Sequence, residues 1–243
     1  MTNILQNAGE YEILTPIADL KEQLKMIEKA GRTCYQSEKG SITDESADKF
    51  VRRLIARGHL SQLEYGRLVV KFKNCSRGNS HEIVRHRLAS FSQESTRYVD
   101  ESDSSFVMPP DKNIDEAFLV KLKHTDLTYD KESEVLVSPK QMAEFIYRYY
   151  GVLKNEGGWT SEDARQFLPI GTTSEIVIGT NFRHWIDIFS LRCERHAHWE
   201  IRSVMSKLLE EMKEHVPAVF SQFQVVGYDK KKIPYYEIDM TSV

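Results

Sequence analysis

Apolar residues recur at helical intervals in several stretches of the chain. Leu20, Leu24, Ile27, Ala30 and Cys34 form one series, and Ala47, Phe50, Val51, Leu54 and Ile55 form a second. The second predicts a well-delimited helix. Thr43 can cap its start, Asp44 and Glu45 occupy the first turn where the helix dipole favours acids, and Gly58 follows the last turn as a left-handed stop. His59 then falls just past a helix end. From Arg67 to Lys73, Leu68, Val70 and Phe72 alternate with Arg67, Lys71 and Lys73, with Val69 the exception, as in a strand covered on one face. A loop is expected over 74–79. Ser80 offers a cap for a helix carrying Ile83, Val84 and the triplet Arg85-His86-Arg87, which would lead into a loop rich in Ser, Gln and Glu.

Residues 99–137 contain Pro109-Pro110, many charges and weak periodicity, so an irregular stretch with one short helix is expected. Ser138-Pro139 reads as an N-cap followed by proline at the first helical position. The stripe Met142, Phe145, Ile146, Tyr149, Val152 and Leu153 continues it until Gly157-Gly158. Ser161 can cap a short helix carrying Arg165 ahead of Pro169, and 175–180 reads as a strand with Ile176 and Ile178 on one side. Asn181 can cap the next helix, and the pattern stays helical to Pro217 through Trp185, Ile188 and Phe189, then Ile201, Val204, Met205, Leu208, Leu209 and Met212. The sum is one α+β domain over 1–243, without repeats or an evident linker.

Composition narrows the function classes. With 243 residues and 40% hydrophobic, the chain can bury a sizeable core. A formal net charge of -3 gives no global attraction to nucleic acid or an anionic membrane, so any anion site must be local. No apolar run approaches the ~18 residues of a membrane span, and the start lacks the pattern of a secretion signal, so a cytoplasmic protein is expected. Cys34, Cys75 and Cys193 form no CxxC pair and are expected as reduced thiols in packed positions.

Candidate chemistry concentrates between Ser80 and Arg97. Arg85, Arg87 and Arg97 stand among Ser90, Ser92, Ser95 and Thr96, and guanidinium forks with hydroxyls are groups that grip phosphate. A solvated basic helix face is the plainer reading of such a run. No metal site is expected. The run His81-Glu82-Ile83-Val84-Arg85-His86 is HExxxH, and at about 100° per residue its histidines would diverge by roughly 140° on a helix. His196 and His198, two apart on a predicted helix, fare no better. Neither GxGxxG nor a P-loop occurs, so a Rossmann site is unsupported. A nucleic-acid-binding module built on the arginines is disfavoured by the acidic balance and the lack of interleaved aromatics.

Residue order goes further than composition. The string Arg85-His86-Arg87, two residues, Ser90, four residues, Ser95, one residue, Arg97-Tyr98 resembles the signature of the flavin-dependent thymidylate synthases. Gly58-His59-Leu60-Ser61-Gln62-Leu63-Glu64 is similar to that family's upstream His-Glu segment. Arg165 with Leu168-Pro169, Asn181-Phe182-Arg183, Leu191-Arg192 and His196-Ala197-His198-Trp199-Glu200 resemble its later blocks, in the right order. The resemblance implies mixed helices around an antiparallel-type central sheet and a homotetramer with shared active sites. It also implies synthesis of dTMP from dUMP, with FAD as cofactor and with NADPH and 5,10-methylenetetrahydrofolate as co-substrates.

By the same resemblance, Ser61, Arg85, His86, Arg87, Gln93, Asn181, Arg183, Asp187 and His196 would hold FAD. Glu82, Arg85, Gln93, Glu94, Ser95, Thr96, Arg97, Arg165 and Arg192 would contact dUMP, chiefly at its phosphate, with Arg192 against the uracil. His59 would lie toward flavin or folate. Methylation at C5 needs an electron-rich pyrimidine, and a fixed cation near N3 and O2 favours negative charge developing there, which suits Arg192. Its plainer role would be a pair with Glu194 or Glu200. Ser95 has no assignable His-Asp relay and reads as a hydrogen-bonding group. Glu82 departs from the family's usual glutamine, Tyr65 from histidine, Gln93 from glutamate and Asp187 from asparagine. An anion at position 82 must face base or sugar, be neutralised by Arg85, or turn away. A member of the fold that has lost activity is the alternative that Glu82 raises.

Overall fold

The computed structural model describes residues 3–6, 9–34, 36–37, 40–122 and 133–239. The chain opens with β1 (Ile4–Leu5), β2 (Glu10–Ile13), α1 (Ile17–Thr33) and α2 (Asp44–Ala56), followed by β3 (Arg67–Ser76) and α3 (Arg77–Ile83). Four strands come next: β4 (Ser90–Gln93), β5 (Phe106–Val107), β6 (Phe118–Leu122) and β7 (Ser133–Val137). Then come α4 (Pro139–Asn155), α5 (Ser161–Ala164), β8 (Thr173–Asn181), α6 (Phe182–Arg192) and α7 (Trp199–His215). α8 (Pro217–Phe220), β9 (Phe223–Tyr228) and β10 (Pro234–Ile238) finish it. The described residues fall into two compact units, one drawn from Met1–Ala8 and Glu94–Thr173, the other from Gly9–Gln93 and Ser174–Val243.

The second unit is built on a sheet of order β2-β3-β8-β4, in which β2/β3 and β4/β8 pair antiparallel. Alternation decides its faces: Leu68, Val70 and Phe72 of β3 and Ile176 and Ile178 of β8 are buried. Against this core α7 places Ile201, Val204, Met205, Leu208, Leu209 and Met212, all fully buried, each worth about 1.5–3 kcal/mol of burial. Trp185 of α6 is fully buried and donates its indole N–H to the Leu68 carbonyl at 3.1 Å. Gly66 sets where α6 begins: a Cβ there would meet the Phe182 ring at 2.3 Å, and the Phe182 N–H donates to the Gly66 carbonyl at 2.9 Å. β9 and β10 form an antiparallel pair beyond the last element that periodicity predicts.

The first unit has a small core of Tyr150, Leu153 and Ala164 with Leu168 against it. β1 pairs parallel with β5, and β6 pairs antiparallel with β7. The buried Tyr147 hydroxyl donates to the Ser105 carbonyl at 3.2 Å and is hydrogen-bonded to Thr172 Oγ1 at 2.8 Å.

The α+β class and the antiparallel pairings agree with the sequence, as do the caps at Thr43, Ser138 and Asn181 and the left-handed Gly58 (φ 69°). Several local expectations are corrected. β3 runs on to Ser76 through the expected loop, and Ser76, not Ser80, caps α3 by accepting the Asn79 N–H at 3.0 Å. α3 therefore ends before Arg85-His86-Arg87. Ser90–Gln93, expected as loop, is a strand whose Phe91 lies opposite Ile178. Thr160 rather than Ser161 caps α5, accepting from the Asp163 N–H at 3.2 Å, and Arg165 starts a separate 3₁₀ turn, Arg165–Phe167. A break over 193–198 leaves His196 outside any helix and His198 at the N-cap of α7.

In 99–137 the described residues hold β5, β6 and β7 and no helix, while 123–132 lie outside the described residues. Cys34 is exposed, against expectation, and Cys75 and Cys193 are buried. The predicted stripe of α4 is the largest correction: Met142, Phe145, Tyr149 and Val152 are exposed, Ile146 is half-buried, Leu153 of the stripe is buried, and Ala143, Tyr147 and Tyr150 make up the rest of the buried face. No described helix is long and apolar enough to cross a membrane.

Candidate functional site

In the second unit, a buried carboxylate fixes the corner from which the signature departs. Glu200, in the first turn of α7, accepts the Ser76 N–H and Ser76 hydroxyl, each at 2.6 Å. Burial raises its carboxyl above the ordinary value, and those two bonds oppose the shift. With α3 anchored there, the turn after Ile83 exposes Arg85 and Arg87 and buries His86. Among the described residues neither exposed arginine has an ion-pair partner. The second half of the string is held by β4: Gln93 donates its amide to Ser80 Oγ at 2.8 Å and Ser174 Oγ at 3.2 Å.

Arg192, the last residue of α6, reaches back to that turn. Its Nε donates to His86 Nε2 at 2.9 Å, Nη2 donates to the Glu82 carbonyl at 2.8 Å, and Nη1 pairs with the Glu82 carboxylate. Glu82 thus pairs with Arg192 and not with Arg85, and Arg192 pairs with Glu82 and not with Glu194 or Glu200. Since His86 Nε2 accepts, the ring proton resides on Nδ1 and the imidazole is neutral. Its pKa is pushed down to about 4, first by burial and then by Arg192 and His184 alongside. The Arg192 side chain is only 15% exposed, so it stands as a nearly immobile cation with its surroundings dried on most sides.

Three predicted flavin residues, Asn181, Arg183 and Asp187, line one pocket of about 320 Å³ at the start of α6, together with Glu64, Leu88 and His184. Asn181 Oδ1 caps the helix on the His184 N–H at 2.8 Å, and Arg183 pairs with Glu64 at 2.5 Å. Both ring nitrogens of His184 are buried with no hydrogen-bond partner among the described residues, the nearest acid being Asp187 at 3.5 Å. Other predicted flavin residues do not line this pocket. Ser61 bonds to Gln62 at 3.1 Å in the 3₁₀ turn Leu60–Tyr65, and His196 is exposed with its N–H on Glu194 at 2.8 Å. His59 lines a different pocket of about 230 Å³ with Phe50, Arg53, Leu54 and Arg57.

In the first unit the candidate phosphate groups converge. Arg165 Nη1 lies 3.3 Å from the buried Thr96 Oγ1, and Arg97 Nε pairs with Glu162 at 2.7 Å. Ser95 opens the turn, its carbonyl accepting from the Tyr98 and Val99 N–H groups and its hydroxyl from the Arg97 N–H at 3.4 Å. Glu94 is half-buried beside it. Two hydroxyls and Arg97 from one turn, with Arg165 from another beside Thr96, are groups able to bind a dianion, and Arg97 is paired with Glu162.

Sequence reading missed Glu162, His184, and the Ser80 and Ser174 hydroxyls on Gln93. An acid in the first turn of a short helix was visible for Glu162. For His184 the only signal was its place one residue after Arg183.

A model of the family described as thymidylate synthase complementing protein matches residues 17–218. Flavin-dependent thymidylate synthases are similar to this chain: that of Mycobacterium tuberculosis at 34% identity, covering 82% of this chain and 79% of its own. That of Corynebacterium diphtheriae is 32% identical (82% and 78%), and that of Clostridium tetani 30% (81% and 80%). Among solved structures, the UMP/dUMP methylase PolB from Streptomyces cacaoi bound with 5-Br dUMP has a TM-score of 0.66 at 20% identity, covering 90% of this chain and 95% of its own. Thymidylate synthase X from Helicobacter pylori with FAD and dUMP has a TM-score of 0.62 at 23% identity, covering 87% and 97%. At those identities the two structures speak to the fold alone. The family match across most of the length, with relatives at 30–34% identity, means that this chain belongs to the flavin-dependent thymidylate synthase family.

Proposed function

We propose that the chain, acting over 1–243 as one thymidylate synthase-like domain in the cytoplasm, converts dUMP to dTMP with FAD as cofactor. The methylene would come from 5,10-methylenetetrahydrofolate and the reducing equivalents from NADPH. The observation that carries this reading is Arg192, a nearly buried guanidinium fixed by His86 and the Glu82 backbone. Such a cation, pointed at O2 and N3 of a uracil, favours the electron density that C5 needs in order to attack a one-carbon donor. A guanidinium also stays charged throughout, so it holds the pyrimidine without exchanging a proton. Ser95, Thr96, Arg97 and Arg165 would take the phosphate, together with Glu94, and Gln93 would serve at the joint between nucleotide and flavin.

The residues fit a flavin nucleotide. Arg85 and Arg87 are exposed cations suited to a pyrophosphate, and the Asn181/Arg183/Asp187 pocket borders the orphaned His184 ring. FAD, when bound, supplies the hydride chemistry. His86 keeps Arg192 in place, and Asn181 keeps the first turn of α6 formed. Ser61, His196 and His59 belong to this reading by family resemblance. A homotetramer is part of it too, supported by the exposed Phe145, Tyr149, Trp159 and Phe167, since an apolar face of that kind marks an association surface. Arg192→Ala tests the reading: the variant should bind FAD normally and lose turnover of dUMP, and unchanged turnover would remove Arg192 from the chemistry.

A further inference from the structure

Arg192 has two kinds of partner, and they differ in freedom. Its side chain is 15% exposed, whereas that of Glu82 is 41% exposed. The carboxylate can exchange the arginine for water by a rotamer change; the guanidinium has no such alternative. Without the carboxylate, Arg192 would still donate Nε to His86 at 2.9 Å and Nη2 to the Glu82 carbonyl at 2.8 Å. So the part of Glu82 that moves is not the part that positions the arginine.

The geometry points to the Glu82 carboxylate as a resting-state latch on Arg192, which must swing off before the pyrimidine engages the guanidinium. The inference rests on the reading of Arg192 as the uracil-facing cation. While the carboxylate is in place it occupies Nη1 and neutralises the charge that should act on the ring. It would also repel negative charge developing on the uracil. Pyrimidine affinity is therefore set by an exchange, carboxylate for uracil carbonyl, and the cost of breaking a charge-assisted bond is subtracted from binding. A glutamine at 82 accepts the same bond neutrally and releases it more readily.

The test is binding of dUMP and of uncharged deoxyuridine to the FAD-loaded protein by calorimetry, in wild type, Glu82→Gln and Glu82→Asp. The latch predicts about fivefold tighter binding of both ligands in Glu82→Gln, the difference between a charged and a neutral partner. Glu82→Asp, which keeps the charge and shortens the reach to Nη1, should also tighten both. FAD affinity should be the same in all three, and if Glu82→Gln fails to take up FAD, Glu82→Asp carries the test. Unchanged or weaker deoxyuridine binding overturns the latch. A gain for dUMP alone also overturns it, because that is what plain repulsion between an anion and the phosphate would give. In an Arg192→Ala background the gain should vanish. If Arg192→Ala itself leaves dUMP turnover intact, it is the uracil assignment that fails, and the two failures are thereby separated.

Discussion

Helices α7 and α4 both carry apolar stripes, yet one stripe is entirely inside its unit and most of the other faces out. In α7 the residues that periodicity selects are those the core covers, Ile201 through Met212. In α4 four of the selected residues, Met142, Phe145, Tyr149 and Val152, are exposed, only Leu153 is buried, and the helix rests chiefly on Tyr147 and Tyr150. Periodicity reports that a helix has a face to hide; what hides it is decided elsewhere. For α7 it is the chain's own sheet. For α4 the cover would be the proposed self-association.

The largest effect is expected in α7. Leu208→Ala should cost about 4 kcal/mol in denaturant unfolding, since a fully buried leucine leaves a cavity. A value under ~1 kcal/mol would mean that this core is loosely packed. A smaller loss should follow acidification, through His86. Its folded pKa of about 4 lies below the unfolded value of about 6.5, so the unfolded chain takes up a proton first as pH falls. The stabilising contribution is complete above the unfolded value and is lost as pH falls toward 4, amounting to about 2 kcal/mol between pH 8 and pH 5. His86→Gln should flatten the pH dependence of unfolding over that window; an identical slope would show that His86 titrates normally.

Caps should not distinguish the two regions. Thr43→Ala at α2 and Ser138→Ala at α4 should each cost about 1 kcal/mol, because each removes a side-chain oxygen from an N-terminal amide regardless of what covers the helix. The smallest stability change is expected for Phe145→Ser, within about 0.5 kcal/mol for the dissociated chain. The same substitution should shift sedimentation of the wild-type assembly toward smaller species. A destabilisation as large as that of Leu208→Ala would place the ring in the chain's own core.

Local chemistry made much of the fold legible. Thr43, Gly58, Ser138-Pro139 and Asn181 act where their side chains or backbone freedom dictate. Failures came where a long-range partner decides. Ser76 outranks Ser80 as a cap because β3 continues to it, and Ser90–Gln93 is a strand because β8 lies alongside. The site divides in the same way. Residue order singled out Arg192, Arg165, Arg183 and Asn181 as candidates, but the bond from Arg192 to Glu82 spans 110 positions and has no periodic trace in the sequence. Likewise the neutral, buried state of His86 follows from α6 packing over it, which the Arg-His-Arg triplet gave no hint of.

The most direct measurement is dTMP formation by the purified protein given FAD, dUMP, 5,10-methylenetetrahydrofolate and NADPH, with the flavin spectrum recorded for wild type and Arg192→Ala. Wild type should be yellow, be bleached by NADPH without oxygen and produce dTMP. Arg192→Ala should be equally yellow, with turnover lower by at least about 100-fold, the scale seen when a group stabilising transition-state charge is removed. A protein that stays colourless with added FAD, or an Arg192→Ala variant as fast as wild type, would contradict the proposed function.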